Sequence, residues 1–276
     1  MTLSVTRRPA RLGSLHRAVA GMALALLAAG CAAPGPGASD SADIRTASDQ
    51  TDADRRASTR MELAGAYFSR GQLTTALDEV KLALVARPDL PEALNLRGLI
   101  YGAMGEIALA DESFRRALAV APRNADTMHN YGWFLCQQSR FDPADAQFAQ
   151  ALAQPQYRYS ARTLLARGVC HARAGRWVEA EATLSRAYEL DPSNPAAAYN
   201  LSDVLYRRGE LERARFYIRR VNAQREVANA QSLWLAARIE HRLGNDFGAR
   251  ELGRQLRDRF PQAPEALLFD RGRFDD

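Results

Sequence analysis

From Ser58 onward, small and apolar positions recur with a 34-residue period, and each period holds two stretches of helical periodicity. With the glycine between the two stretches numbered 15, position 8 is Ala64, Gly98, Gly132, Gly168, Ser202 and Ala237. Position 15 is Gly71, Gly105, Ser139, Gly175, Gly209 and Gly244; position 20 is Ala76, Ala110, Ala144, Ala180, Ala214 and Ala249. Position 27 reads Ala83, Ala117, Ala151, Ala187, Val221 and Leu256, and Pro88, Pro122, Pro192 and Pro261 stand at position 32. Small residues at 8 and 20 let the two helices of a unit, A and B, approach closely. Glycine at 15 ends helix A in the left-handed conformation, and proline at 32 stops helix B. The pattern predicts six helix pairs, at about 57–90, 91–124, 125–160, 161–194, 195–229 and 230–263. A short capping helix is expected in PEALLFDRG, laying Leu267, Leu268 and Phe269 on the last pair. The third-to-fourth spacing is stretched to 36, with the extra residues around Ala153–Ser160. The sixth unit departs most, with Asp246 and Gly253 where bulky residues usually sit, as terminal units must face water.

This pattern resembles the tetratricopeptide repeat, which implies an all-α, right-handed superhelical solenoid with helix A lining the concave side. Positions 2, 5, 9 and 12 of helix A would then face the groove. Position 5 is Met61, Asn95, His129, Leu165, Tyr199 and Trp234; position 9 adds Leu99, Trp133 and Val169; position 12 adds Phe68 and Tyr206. Apolar and aromatic residues on a concave surface are the kind that anchor a protein partner. The competing reading is that Trp133 and Trp234 only pack against neighbouring repeats. The chain holds a single lysine, Lys81, and so lacks the basic clamp that chaperone-binding repeats use to read a terminal carboxylate.

The first 30 residues read as a lipoprotein signal peptide. Arg7, Arg8, Arg11 and Arg17 precede the apolar run Val19–Gly30, which is shorter than the roughly 20 residues needed to cross a bilayer. A retained membrane anchor is the alternative. Ala28-Ala29-Gly30 before Cys31 resembles a lipobox, making Cys31 the expected acylation site, with Ala28 where Leu is preferred. Ala32 in place of Asp favours the periplasmic face of the outer membrane as the address. Residues 31–56 are rich in Gly, Pro, Ala, Ser and Asp, with Ile44 their only large apolar residue, and are expected to form a disordered tether. Residues 57–276 form the repeat domain. The formal charge of +5 falls to +1 once the four arginines of the signal are removed, so nothing draws the remainder to nucleic acid.

Neither a nucleophile motif nor a phosphate loop nor a metal-ligand spacing is present, so no catalytic residue, cofactor, metal or small-molecule substrate is expected, and the chain is not expected to be an enzyme. His171 takes an aromatic position of the fourth unit and is expected in the core. Cys136 and Cys170 lie in helix A of consecutive units, where helix axes about 8–10 Å apart can bring Cα atoms within disulfide reach. In an oxidising compartment a bridge is favoured; two buried free thiols are the alternative.

HNYGWFLC (from His129 to Cys136), RFDPADAQFAQALAQPQYR, GVCHARAGR and LWLAARIEHRLG followed by LRDRFP resemble the PilF/PilW family of type IV pilus biogenesis lipoproteins. The cysteine pair is also in keeping with that family. The resemblance implies a pilotin-like role, helping the pilus secretin reach the outer membrane and multimerise, or stabilising pili. A different periplasmic adaptor, for β-barrel assembly or for regulating peptidoglycan enzymes, is the rival reading.

Overall fold

The computed structural model describes residues 50–274; Cys31, the signal segment and most of the expected tether lie outside them. The described residues form thirteen helices and no strand. They run in six hairpins: α1 (Asp52–Ser69) with α2 (Leu73–Ala86), α3 (Pro91–Met104) with α4 (Ile107–Val120), and α5 (Ala125–Gln137) with α6 (Phe141–Leu152). Then come α7 (Ser160–Arg173) with α8 (Trp177–Leu190), α9 (Pro195–Arg207) with α10 (Leu211–Asn222), and α11 (Ala230–Arg242) with α12 (Asp246–Arg259). The short α13 (Pro264–Asp270) closes the series.

Each element has a local cause. Gly71, Gly105, Gly175, Gly209 and Gly244 all have φ between 73° and 83°, the left-handed turn that ends helix A. Ser139 adopts the same conformation at φ 57° without being glycine. Asn124, Asn194 and Asn229 cap α5, α9 and α11 by accepting backbone N–H groups, and Pro91 and Pro195 sit in the first turn of their helices. Helix α1 begins at Asp52, inside the segment expected to be tether. Thr51 and Asp54 form a reciprocal capping box there, and Asp54 also pairs with Arg87 beyond α2.

Within a hairpin, position 8 of helix A faces position 24 of helix B, and their sizes vary inversely. Gly98 faces Phe114, Gly132 faces Phe148, Gly168 faces Leu184, and the smaller Val80 is paired with Ala64. A Cβ on Gly168 would lie 2.6 Å from Leu184 Cγ, and one on Gly98 2.8 Å from the Phe114 ring. Phe114, Phe148, Leu184 and Ile218 are fully buried, and each such side chain contributes about 1.5–3 kcal/mol. Position 24 of the last hairpin is Gly253, and there Phe269 of α13 supplies the missing bulk from outside the hairpin. Leu267 differs from expectation: it is exposed, leaving Ala266, Leu268 and Phe269 to make the cap.

The backbones of consecutive A helices approach closely along the whole series, from α1 on α3 to α9 on α11, whereas those of consecutive B helices do not, and α8 and α10 meet only through side chains such as Tyr188 and Tyr217. The A row is therefore the inner side of the stack. Two A-side junctions are long, residues 153–159 and 223–229, where the others span 87–90, 121–124 and 191–194. Both follow hairpins that lack Pro at position 32, and α6 and α10 are each 12 residues where the other B helices have 14. Sequence reading identified the first of these stretches and not the second. Gln156, at the proline position, takes a positive φ of 61°.

Candidate functional site

The inner row of A helices offers an apolar pocket of about 470 Å³, lined by His129, Trp133, Arg162, Leu165, Ala166, Val169 and Asn200. Helices α5, α7 and α9 all contribute, so the pocket spans three repeats. Trp133, Leu165 and Val169 are half-buried: each has an edge packed on the core and a face toward the groove. Beside them runs a polar row. Asn130 Nδ2 donates to Asn95 Oδ1 at 3.2 Å, and Arg162 donates to Asn130 Oδ1 at 3.4 Å. Amide and guanidinium groups flanking an apolar pocket can hydrogen-bond the backbone of an extended segment while the pocket takes its side chain.

Four of the eleven groove positions read from the sequence, His129, Trp133, Leu165 and Val169, meet in this pocket. Met61 and Phe68 are half-buried against the core around Ala64, Val80 and Ile100, Leu99 is half-buried against the core around Phe114 and Phe134, and Asn95 joins the polar row. Tyr199 is half-buried, and burial pushes its hydroxyl pKa up. Three positions are more buried than the expectation of a groove-exposed anchor: His129 at the pocket edge, Tyr206 and Trp234. Tyr206 is 5% exposed, its ring covered by the guanidinium groups of Arg238 at 4.7 Å and Arg242 at 4.9 Å. Trp234 is 6% exposed, covered by Phe269 and Phe274. The register assigns Tyr206 and Trp234 to a helix face; the covering groups come from the next helix A, where Arg238 stands at position 9, and from Phe269 and Phe274 beyond the repeats. Arg162, Ala166 and Asn200 were not singled out, although they stand at positions 2 and 6 of the same faces.

His129 belongs to both pocket and core. It is 5% exposed, and its Nδ1 shares a hydrogen bond of 2.8 Å with Thr163 Oγ1, which in turn meets the Tyr157 hydroxyl at 2.7 Å. Burial, reinforced by the Arg162 charge, lowers the His129 pKa to about 4, so the imidazole is neutral at physiological pH. Tyr157 comes from the long 153–159 junction, whose extra residues thus carry a hydroxyl back to pin α5 against α7.

The same interface between the third and fourth repeats is held in two more ways. Cys136 of α5 and Cys170 of α7 form a disulfide with Cα atoms 5.8 Å apart. Asp145 of α6 accepts from Arg167 at 2.6 and 3.1 Å and from His171 Nε2 at 2.6 Å. Burial works to raise the Asp145 pKa, but the Arg167 and His171 hydrogen bonds outweigh it and hold the carboxyl below its usual range. His171 is buried and also meets Thr183 at 3.3 Å, a structural place in the core. Among the described residues, no group of three or more His, Cys, Asp or Glu is disposed to hold a metal, and no helix is long and apolar enough to cross a membrane.

Tetratricopeptide-repeat models match residues 91–124, 135–195 and 171–239. The chain is 28% identical to the type IV pilus assembly protein PilF of Pseudomonas aeruginosa over 209 residues, covering 76% of this chain and 82% of that protein. Among solved structures it is similar to PilW, described as a widely conserved type IV pilus biogenesis factor. That match has 32% identity and a TM-score of 0.72, over 76% of this chain and 96% of PilW. The structure of Pseudomonas aeruginosa PilF matches at 27% identity and a TM-score of 0.71, over 80% of this chain and all of that one.

Proposed function

Because the chain belongs to the PilF/PilW family of tetratricopeptide-repeat proteins, we propose that it serves type IV pilus biogenesis as a non-enzymatic scaffold. In this reading it is a lipoprotein anchored through Cys31 at the periplasmic face of the outer membrane. It acts as a pilotin, helping the pilus secretin reach that membrane and multimerise. The observation that carries the reading is the likeness to PilW, which extends over 96% of that chain and 76% of this one. The pocket around Trp133 supplies a docking place of suitable chemistry: apolar walls for a side chain, with Asn95, Asn130 and Arg162 alongside for a backbone.

The test is deletion of the gene, read by twitching motility and by the heat-stable secretin multimer. Loss of both, restored by the intact gene and not by Trp133→Ala with Leu165→Ala, is the expected result. Normal motility and multimers in the deletion strain would overturn the pilotin reading. Cys31→Ala tests the anchor separately: unchanged outer-membrane fractionation would refute lipidation there.

A further inference from the structure

The groove face of α11 is already occupied. Trp234, Arg238 and His241 stand at positions 5, 9 and 12 of the sixth helix A, the positions that line the groove elsewhere. Over them lies Phe274, close to the end of the chain. Its ring stacks on the His241 imidazole with centroids 4.1 Å apart and planes at 17°, and on Trp234 at 5.3 Å and 28°. Phe269 meets it edge-on at 5.6 Å. Arg238 Nε donates to the Phe274 carbonyl at 2.8 Å, while its guanidinium covers Tyr206. One aromatic side chain and its backbone carbonyl are thus gripped by groove residues, as an extended ligand would be.

Two observations separate this contact from ordinary core packing. Phe274 lies beyond α13, after Gly272 turns the chain at φ 65°, so it is not held within a helical ladder. Its side chain is half-buried, and His241 beneath it is exposed. Charge is the second. Residues 207–276 hold 15 arginines against 11 acidic residues, a net +4, whereas residues 50–206 carry 17 basic against 18 acidic residues. In sequence Phe274 is followed by two acidic residues, Asp275 and Asp276, so the aromatic residue seated here belongs to an aromatic-then-acidic run within the more basic part of the chain.

We propose that the groove continues through the sixth repeat as a subsite for an aromatic residue in an acidic segment of a partner protein, filled in the free protein by Phe274. The partner docks there by displacing the tail. This rests on the reading of the helix-A face as a protein-docking surface. A tail tethered at its own site competes at an effective concentration of about millimolar, so it excludes weak ligands and yields to segments that also engage the pocket near Trp133.

The probe is a fluorescein-labelled peptide with the sequence of residues 271–276, titrated to millimolar concentration and followed by anisotropy. Its targets are the full chain, the chain ending at Arg273, and full-length Phe274→Ala. The shortened chain and Phe274→Ala are both expected to bind at least tenfold more tightly than the full chain. Replacing Phe by Ala in the peptide should abolish binding, and Arg238→Ala in the shortened chain should weaken it at least tenfold with the helical circular-dichroism signal retained. Equal affinity for the full and shortened chains, or no binding to either opened form, overturns the proposal. If the peptide result holds while secretin multimers are normal in the deletion strain, the subsite stands and the pilotin reading alone fails.

Discussion

Phe269 of α13 rests its ring in the space where any residue but glycine at position 253 of α12 would carry a Cβ. In five hairpins the B helix fills its own core slot at this position; in the sixth it leaves the slot open and α13 fills it. Gly253→Ala should therefore destabilise the C-terminal end by about 1–2 kcal/mol. Overpacking costs about 1–3 kcal/mol, and the better helix propensity of Ala returns up to about 1. Urea denaturation checks the sign. In the Phe269→Ala background the same substitution should be neutral or stabilising, because the slot is then vacant.

His129 makes stability depend on pH. Its pKa is about 4 in the folded chain and near 6.5 unfolded, so the unfolded state binds more protons between these values. The contribution is fully present above pH 6.5 and is lost as pH falls toward 4. At about 1.4 kcal/mol per pH unit, the loss reaches on the order of 3 kcal/mol. Subtracting the pH profile of His129→Gln from that of the parent should isolate this slope; identical profiles would show that His129 does not titrate as described.

The disulfide closes a loop with a sequence separation of 34. Chain-entropy reasoning gives about 2–4 kcal/mol for such a crosslink. Denaturation midpoints measured with and without reductant should differ accordingly, and Cys136→Ala with Cys170→Ala should be insensitive to reductant.

Ser139 holds a left-handed conformation that glycine holds in the five sister hairpins. A side chain there costs roughly 1–2 kcal/mol, and the greater unfolded-state freedom of glycine offsets about 0.4–1 of it. Ser139→Gly should raise stability by about 0.5–1 kcal/mol, seen as a higher Tm with the disulfide intact.

The repeating part of this molecule was legible because each structural demand recurs six times. Glycine or its substitute at 15, alanine at 20 and small residues at 8 fix the hairpins and the inner face. What escaped was whatever does not repeat. The burial of Trp234 depends on Phe269 and Phe274, and that of Tyr206 on Arg238 and Arg242 reaching back from the next helix; periodicity assigns a residue to a face without saying what later covers it. The second long junction, 223–229, went unmarked because it stretches the repeat spacing only to 35, against 36 at the first. The early start of α1 turns on Thr51 and Asp54, a local capping pair inside a composition that reads as tether.

Repeats that touch only their neighbours are joined like links in series, so pulling or thermal agitation opens the weakest seam first and leaves its flanks intact. The covalent bond between Cys136 and Cys170 lies across the seam with the long 153–159 connection, beside the pocket that draws walls from α5, α7 and α9. A break elsewhere would leave an end of the stack hanging by its backbone connection alone. A break here would split the pocket itself, and the disulfide gives this seam a second covalent tie beside the backbone, which holds α5 near α7 when their packing is lost.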